Sequence, residues 1–222
     1  RAPAPAHAAA PCAGLLVSEL SFGCMTFNEG KEPEVAYEEM KLAYEHGVNF
    51  FDNSESYGET TAGWERGGVS EEIMGEAVKI GIEKGEWARM DLVISTKLMW
   101  GGRGTVDTVN SVGLSRKHLV EGMHASLERM QLDYVDLVFC HRPDDRTPIW
   151  ETVRAMNFLI DQGLAFYWGT SEWSEAQLAE ALHVSEKLNM IPPLFEQCEY
   201  SMLTRDIIES ELTPFYPALG TT

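Results

Sequence analysis

The feature that most constrains the fold is a repeated alternation of short apolar runs with longer helical patterns. Six runs are predicted to be strands, at 20–24, 48–51, 92–96, 134–140, 165–169 and 194–197. Helical patterns fill the intervals, at 33–46, 70–84, 115–130, 148–162 and 174–188. Nearly all-apolar strands that alternate with helices are typical of a buried parallel sheet. The sequence therefore predicts an α/β protein, either a barrel or a doubly wound sheet.

Start and stop signals flank the predicted helices. Two prolines suit a first helical turn, Pro33 and Pro148. Three serines are candidate N-caps, Ser70, Ser115 and Ser174. Three glycines follow helical runs where a left-handed C-cap is favourable, Gly47, Gly85 and Gly163. These signals agree with the hydrophobic pattern and support the assignment of five helices.

Three successive strands end on ionisable residues. Asp52, Lys97 and His141 follow apolar runs and lie about 45 residues apart in each step, roughly the length of one strand, one helix and their loops. Parallel strands end on one face, and in a barrel that face holds the active site. No G-x-G-x-x-G turn occurs between Leu20 and Pro33, as a dinucleotide-binding doubly wound fold would require. A barrel is therefore the favoured fold, with Tyr57 in the loop after Asp52.

This set of residues suits proton transfer to a carbonyl group. Tyr57 can donate a proton if a neighbouring ammonium group, Lys97, favours the phenolate form. Asp52 would hold Lys97 charged and oriented, and His141 would position the carbonyl oxygen or share the proton. Singly, each of these residues would more often be a cap or a solvated loop residue, so the argument depends on their convergence. Polar groups also end two further strands, at Thr170-Ser171 and Gln197, and they suit a nicotinamide carboxamide.

Composition excludes several classes of protein. The 222 residues suffice for one domain, and the formal charge of −18 disfavours nucleic acid and anionic lipid as partners. No apolar run is long enough to insert into a membrane. The four cysteines lie far apart without a CxxC pair, so we expect neither a metal site nor a disulfide framework, and a reduced, cytoplasmic location.

The first residues differ from the rest of the chain. Residues 1–13 are rich in alanine and proline, and no initiator Met precedes them. Their composition predicts a disordered extension. A transit-peptide remnant would share the basic, acid-poor character, but an unstructured extension is the favoured interpretation. Residues 14–222 are predicted to form the barrel domain.

Several segments together resemble one enzyme family. The segment around Asp52 and the lysine strand resemble the aldo-keto reductases, and His141 falls at the family's histidine: Phe50-Phe51-Asp52-Asn53-Ser54-Glu55-Ser56-Tyr57-Gly58 and Ile94-Ser95-Thr96-Lys97. Other segments are similar to the voltage-gated potassium channel β-subunit branch of that family: Trp100-Gly101-Gly102, Gly113-Leu114-Ser115-Arg116-Lys117-His118, Arg142-Pro143-Asp144, Glu151-Thr152-Val153-Arg154-Ala155-Met156 and Tyr167-Trp168-Gly169-Thr170-Ser171.

This resemblance implies a (β/α)8 TIM barrel that uses NADPH to reduce aldehydes and ketones, with Tyr57 as general acid. By similarity, the catalytic residues are Asp52, Tyr57, Lys97 and His141. The residues expected to bind the cofactor are Gly23, Cys24, Met25, Asp52, Ser171, Glu172 and Gln197. The alternative function implied is a cofactor-binding regulatory subunit that associates, as a homotetramer, with a potassium channel α-subunit.

Some residues depart from the family pattern. Animal channel subunits have Asn at the position of His141, so this chain is more similar to a working reductase, whereas Glu172 replaces the usual Asn or Arg. Leu219-Gly220-Thr221-Thr222 is interpreted as the start of strand seven. The chain is therefore expected to be a C-terminally truncated barrel of about six βα units, weak or inactive by itself, without the adenine and 2′-phosphate site. The identity of the substrate cannot be inferred from the sequence.

Overall fold

The computed structural model describes residues 13–28, 30–58, 67–102 and 109–213, together with the backbone of residues 7–9. The strands in these residues are β1 His7–Ala9, β2 Leu16–Ser18, β3 Ser21–Gly23, β4 Phe50–Asp52, β5 Val93–Leu98, β6 Val135–Cys140, β7 Ala165–Ser171 and β8 Phe195–Gln197. The helices are α1 Pro33–Glu45, α2 Val69–Lys84, α3 Arg116–Met130, α4 Ile149–Asp161 and α5 Glu175–Leu188. A 3₁₀ turn at Arg89–Asp91 and a π-helical turn at Ile207–Leu212 complete the set.

Six of the strands form one parallel sheet. Its order is β3-β4-β5-β6-β7-β8, so each strand pairs with the next one along the chain, and one helix connects each pair. This is the topology of a (β/α)8 barrel in its first six units, and the predicted fold class is confirmed. The predicted strand seven at Leu219–Thr222 lies outside the described residues.

The two faces of the sheet pack differently. One face packs against the helices, and its buried side chains include Phe51, Ile94, Val138 and Trp168. The other face carries a smaller apolar cluster of Val93, Leu137 and Phe139, with Phe50, Tyr167 and Phe195 packed against it. Because side chains alternate between faces, every second residue of each strand points to this inner face. The inner face is the one that a barrel encloses.

A two-stranded antiparallel sheet, β1-β2, was not predicted from the sequence. The backbone of His7 pairs with Ser18 and that of Ala9 with Leu16. This strand lies within the segment 1–13 for which we expected disorder, most of which is outside the described residues. Leu15 and Val17, in and next to β2, pack against the inner apolar cluster.

Helix caps agree with the sequence at two serines and disagree at a third. The hydroxyls of Ser115 and Ser174 accept hydrogen bonds from the backbone N–H groups of His118 and Gln177, as N-caps do. Ser70 is not a cap, because α2 begins one residue earlier at Val69, after Gly68. Its hydroxyl instead donates to the carbonyl of Cys24 at 2.6 Å. Ser70 therefore fixes the loop after β3 rather than the start of a helix.

Candidate active site

Strand register places five polar residues along one edge of the inner face. Asp52 ends β4, Lys97 lies one residue before the end of β5, and His141 follows β6. Ser171 and Gln197 end β7 and β8 and stand directly opposite each other in the ladder. We predicted that these side chains converge at the C-terminal ends of the strands, and the geometry agrees. Together they form one polar rim above the inner apolar cluster.

The base of the rim is a buried ion pair between Lys97 and Asp52. Lys97 is fully buried, and its Nζ donates to Asp52 Oδ2 at 2.5 Å and to the carbonyl oxygen of Asn53 at 2.9 Å. The hydroxyl of Ser95 donates to Asp52 Oδ1 at 2.6 Å. A buried ammonium group is tolerated only when its charge is paired and its protons are bonded. Asp52 supplies this pairing.

Tyr57 lies over this ion pair. The Nζ of Lys97 is 4.7 Å from the centroid of the Tyr57 ring. The ring also meets His141 edge-on, with centroids 5.5 Å apart and planes at 82°. Tyr57 is partly exposed whereas Lys97 is buried, so the phenol is the member of the group that a molecule arriving from solvent would meet first.

His141 is held as a neutral imidazole. Burial, followed by the nearby charges of Lys97 and Arg142, lowers the pKa of His141 to about 3. Its backbone N–H donates to Leu98 O at 3.0 Å, which ties the end of β6 to β5. Ser54 Oγ lies 3.0 Å from His141 Nδ1. At neutral pH the ring therefore carries one N–H group and one bare nitrogen.

The residues expected to bind a cofactor lie in two places. Ser171 is buried and its hydroxyl accepts from Arg142 at 3.1 Å, whereas Gln197 is partly exposed. Glu172 has a left-handed backbone with φ of 57°, and its carboxylate accepts from the backbone N–H of Glu199 at 2.6 Å. Glu172 therefore holds the chain after β8. Ser171 and Gln197 present the polar groups at this end of the rim.

At the end of the rim beside β3, only some of the residues that were predicted to bind the cofactor face the rim. Gly23 pairs with Asp52 in the ladder and ends β3. The side chain of Cys24 is fully buried in the cluster beneath the helices, and burial raises the pKa of its thiol well above the usual range. Met25 is 57% exposed. The sulfur of Cys24 is therefore withdrawn from the rim. Its backbone is bonded within the fold, because the N–H donates to Asp52 O at 2.9 Å and the carbonyl accepts from Ser70 Oγ at 2.6 Å.

Three site residues were missed by sequence reasoning. Ser95 and Ser54 bond to Asp52 and His141 as described. Glu55 is buried, and its Oε1 accepts from the backbone N–H groups of Met99 at 2.6 Å and Gly101 at 2.9 Å and lies 3.0 Å from His118 Nε2. Glu55 thereby positions the segment after β5. The one available signal was the unusual polarity of the segment 53–56, between a strand and Tyr57.

Two further groups, the buried Cys140 and the partly buried Glu196, lie on the opposite face of the sheet. Cys140 is fully buried beside the helices, and burial raises the pKa of its thiol, as expected for an inert cysteine. Glu196 accepts from Thr170 Oγ1 at 2.5 Å and from Trp173 N at 3.2 Å. Burial raises the pKa of Glu196 to about 7. Neither group belongs to the rim.

Among the residues that the structure describes, His, Cys, Asp and Glu side chains do not gather in groups of three or more that could hold a metal ion. No helix in this part of the chain has the length and apolar character needed to cross a membrane.

Comparison with known proteins gives a family and two close relatives. Residues 19–221 match the Aldo/keto reductase family. A "Probable voltage-gated potassium channel subunit beta" from Arabidopsis thaliana is 50% identical over 208 residues, which are 93% of this chain and 58% of that protein. A protein of the same description from Oryza sativa subsp. japonica is 49% identical over the same shares. The chain thus spans less than two thirds of the length of these relatives.

Proposed function

Because the chain belongs to the aldo/keto reductase family, as its motifs predicted, we propose that it is an NADPH-dependent oxidoreductase that reduces aldehydes and ketones to alcohols. The observation that carries the proposal is the stack in which the buried Lys97–Asp52 pair lies beneath the Tyr57 ring and His141 meets that ring edge-on. In this role Tyr57 is the general acid.

The residues of the rim suit a nicotinamide cofactor. The amide of Gln197 and the hydroxyl of Ser171 stand side by side and offer both donors and acceptors to a carboxamide. Beside Asp52, the space over Gly23 is open, since a Cβ atom built there would contact nothing within 4 Å. NADPH, when bound, supplies the hydride that reduces the carbonyl carbon. We assign Gly23, Cys24, Met25, Asp52, Ser171, Glu172 and Gln197 to cofactor binding.

Proton delivery is the task of the chain's own residues. Tyr57 donates its hydroxyl proton to the carbonyl oxygen as negative charge develops there. The ammonium group of Lys97 stabilises the phenolate that remains, and Asp52 keeps Lys97 charged and in place. His141, held neutral, offers a hydrogen bond to the same oxygen instead of a competing charge. Burial excludes water from the lower part of this relay.

The test is oxidation of NADPH by the natural full-length protein in the presence of small aldehydes. Turnover that depends on the aldehyde and gives an equimolar alcohol supports the proposal. If the protein binds NADPH but turns over no aldehyde or ketone in a broad panel, the catalytic proposal fails. We place the reaction in the cytoplasm, because buried thiols such as those of Cys24 and Cys140 persist in reducing compartments.

A second candidate function is a regulatory β-subunit of a voltage-gated potassium channel. The names of the two plant relatives favour it. In this role the protein would bind the cofactor, form a homotetramer and associate with a channel α-subunit. Light scattering of the full-length protein at micromolar concentration tests the assembly, and co-purification with an α-subunit tests the partner. A monomer that fails to co-purify would exclude this role without affecting the reductase proposal.

A further inference from the structure

The hydroxyl of Ser54 lies between Lys97, near the end of β5, and His141, which follows β6. Ser54 is fully buried, and its Oγ is 3.0 Å from His141 Nδ1 and 3.2 Å from the carbonyl oxygen of Lys97. The hydroxyl of Ser56 is 3.2 Å away, and the backbone N–H of Ser56 donates to Ser54 Oγ at 3.3 Å. A hydroxyl has one proton to donate. The position of that proton decides which nitrogen of His141 is protonated.

Three acceptors lie within reach of this proton, namely His141 Nδ1, the carbonyl oxygen of Lys97 and Ser56 Oγ, and they are not equivalent. Ser56 has a hydroxyl proton of its own and can donate to Ser54 Oγ instead. The carbonyl of Lys97 already accepts from the backbone N–H of Glu55 at 3.1 Å, so it is satisfied without Ser54. The bare nitrogen of a buried, neutral His141 needs a donor, because an unpaired buried acceptor is costly. The contact from Ser54 Oγ to Nδ1, at 3.0 Å, is also the shortest of the three. Donation to Nδ1 leaves every group in this junction satisfied.

We propose that Ser54 is a positioning residue for His141: its hydroxyl donates to Nδ1, so that Nε2 carries the ring proton and can donate to the substrate's carbonyl oxygen. This inference rests on the proposed reductase function for its catalytic consequence, but not for the tautomer itself. In the opposite arrangement Ser54 would donate to the carbonyl of Lys97, Nδ1–H would donate to Ser54, and a bare Nε2 would repel the carbonyl oxygen. Ser54 therefore selects the tautomer that assists reduction.

The tautomer can be measured without turnover. In histidine-¹⁵N-labelled protein near pH 7, nitrogen shifts and long-range couplings to the ring protons identify which nitrogen of His141 is protonated. The signals are assigned from the spectrum of His141→Gln. We expect a single Nε2–H tautomer in the wild type. We expect a mixture in Ser54→Ala and recovery of the single tautomer in Ser54→Thr, which keeps the hydroxyl. A wild type with its proton on Nδ1, or an unchanged tautomer in Ser54→Ala, would overturn the proposal.

Kinetics of the full-length protein provide the second readout. Loss of one hydrogen bond of about 1 kcal/mol that acts in the transition state lowers kcat by roughly fivefold, and we expect this in Ser54→Ala with the Kd for NADPH unchanged. Ser185→Ala is the matched control. It removes another buried serine hydroxyl, which donates to Ala181 O at 2.8 Å, far from the site. An equal loss of kcat in both variants would show a general stability effect and overturn the proposal. A wild type without turnover would refute the reductase function, while the tautomer measurement would still decide the role of Ser54.

Discussion

The ammonium group of Lys97 lies 4.7 Å from the centroid of the Tyr57 ring, within the range of a cation–π contact. Lys97 thus contacts the face of the aromatic ring while its charge is paired below by Asp52. This arrangement separates two contributions of Tyr57. The ring packs over the cation, and the hydroxyl is available for chemistry, so removing the hydroxyl alone tests catalysis without dismantling the stack.

Tyr57→Phe should abolish turnover while leaving the fold and NADPH binding nearly intact. Loss of a general acid typically lowers the rate by about 10²–10⁴-fold. Steady-state rates and fluorescence titration of NADPH in the full-length protein measure the two effects. Tyr44→Phe is the control, because Tyr44 is a partly exposed tyrosine on α1 that packs against Trp87, away from the site. Retained activity in Tyr57→Phe would remove Tyr57 from the mechanism.

Removing one member of the Lys97–Asp52 pair should lower the free energy of unfolding. Asp52→Asn leaves a fully buried ammonium group without its counter-charge, and such losses cost about 3–5 kcal/mol. Lys97→Met together with Asp52→Asn should cost less than the sum of the single variants, because no uncompensated charge then remains. Urea denaturation measures the free energy of unfolding of the two single variants and of the double variant. Lys41→Met, which breaks the more exposed pair with Glu86, should cost much less than either single variant. Additive single effects at Asp52 and Lys97 would contradict the coupling.

Gln197→Leu should weaken NADPH binding in the full-length protein. An unpaired polar group in a buried contact costs about 1–3 kcal/mol, which corresponds to roughly a five- to 150-fold rise in Kd. Gln162→Leu is the control, because it makes the same substitution at the exposed end of α4. It should leave the Kd for NADPH unchanged. Equal affinities in wild type and Gln197→Leu would place the carboxamide elsewhere.

Glu196 should make the protein lose stability as the pH rises. Burial raises the folded-state pKa of Glu196 from 4.5 to about 7, so the folded state holds this proton more tightly than the unfolded state. The stabilisation from this proton is fully present below about pH 4.5 and is lost as the pH rises through about 7. The total loss in the free energy of unfolding approaches about 3 kcal/mol. Glu196→Gln should flatten this part of the profile in urea denaturation at several pH values. An unchanged slope in this variant would mean that Glu196 is not the source of the pH dependence of stability.

The order of elements could be read from the sequence because hydrophobic period and cap residues are local properties. The observed strands β3 to β8 lie within a few residues of the predicted runs. The hairpin β1-β2 could not be predicted, because its strands are only three residues long and β2 is held by Asn49, which accepts from the Ser18 N–H and lies 31 residues away. The cap at Ser70 was misassigned because the left-handed Gly68, with φ of 98°, starts α2 earlier.

The sequence by itself determined which residues stand at the ends of the parallel strands, and so the convergence of Asp52, Lys97 and His141 at one edge. That inference needs only the common direction of the strands and their side-chain alternation. Only the tertiary structure decided how those residues act. The contact of Ser54 with His141 joins residues 87 positions apart, and the lowered pKa of His141 arises from burial and two neighbouring cations. Such properties depend on distances across packed strands, which no local pattern encodes.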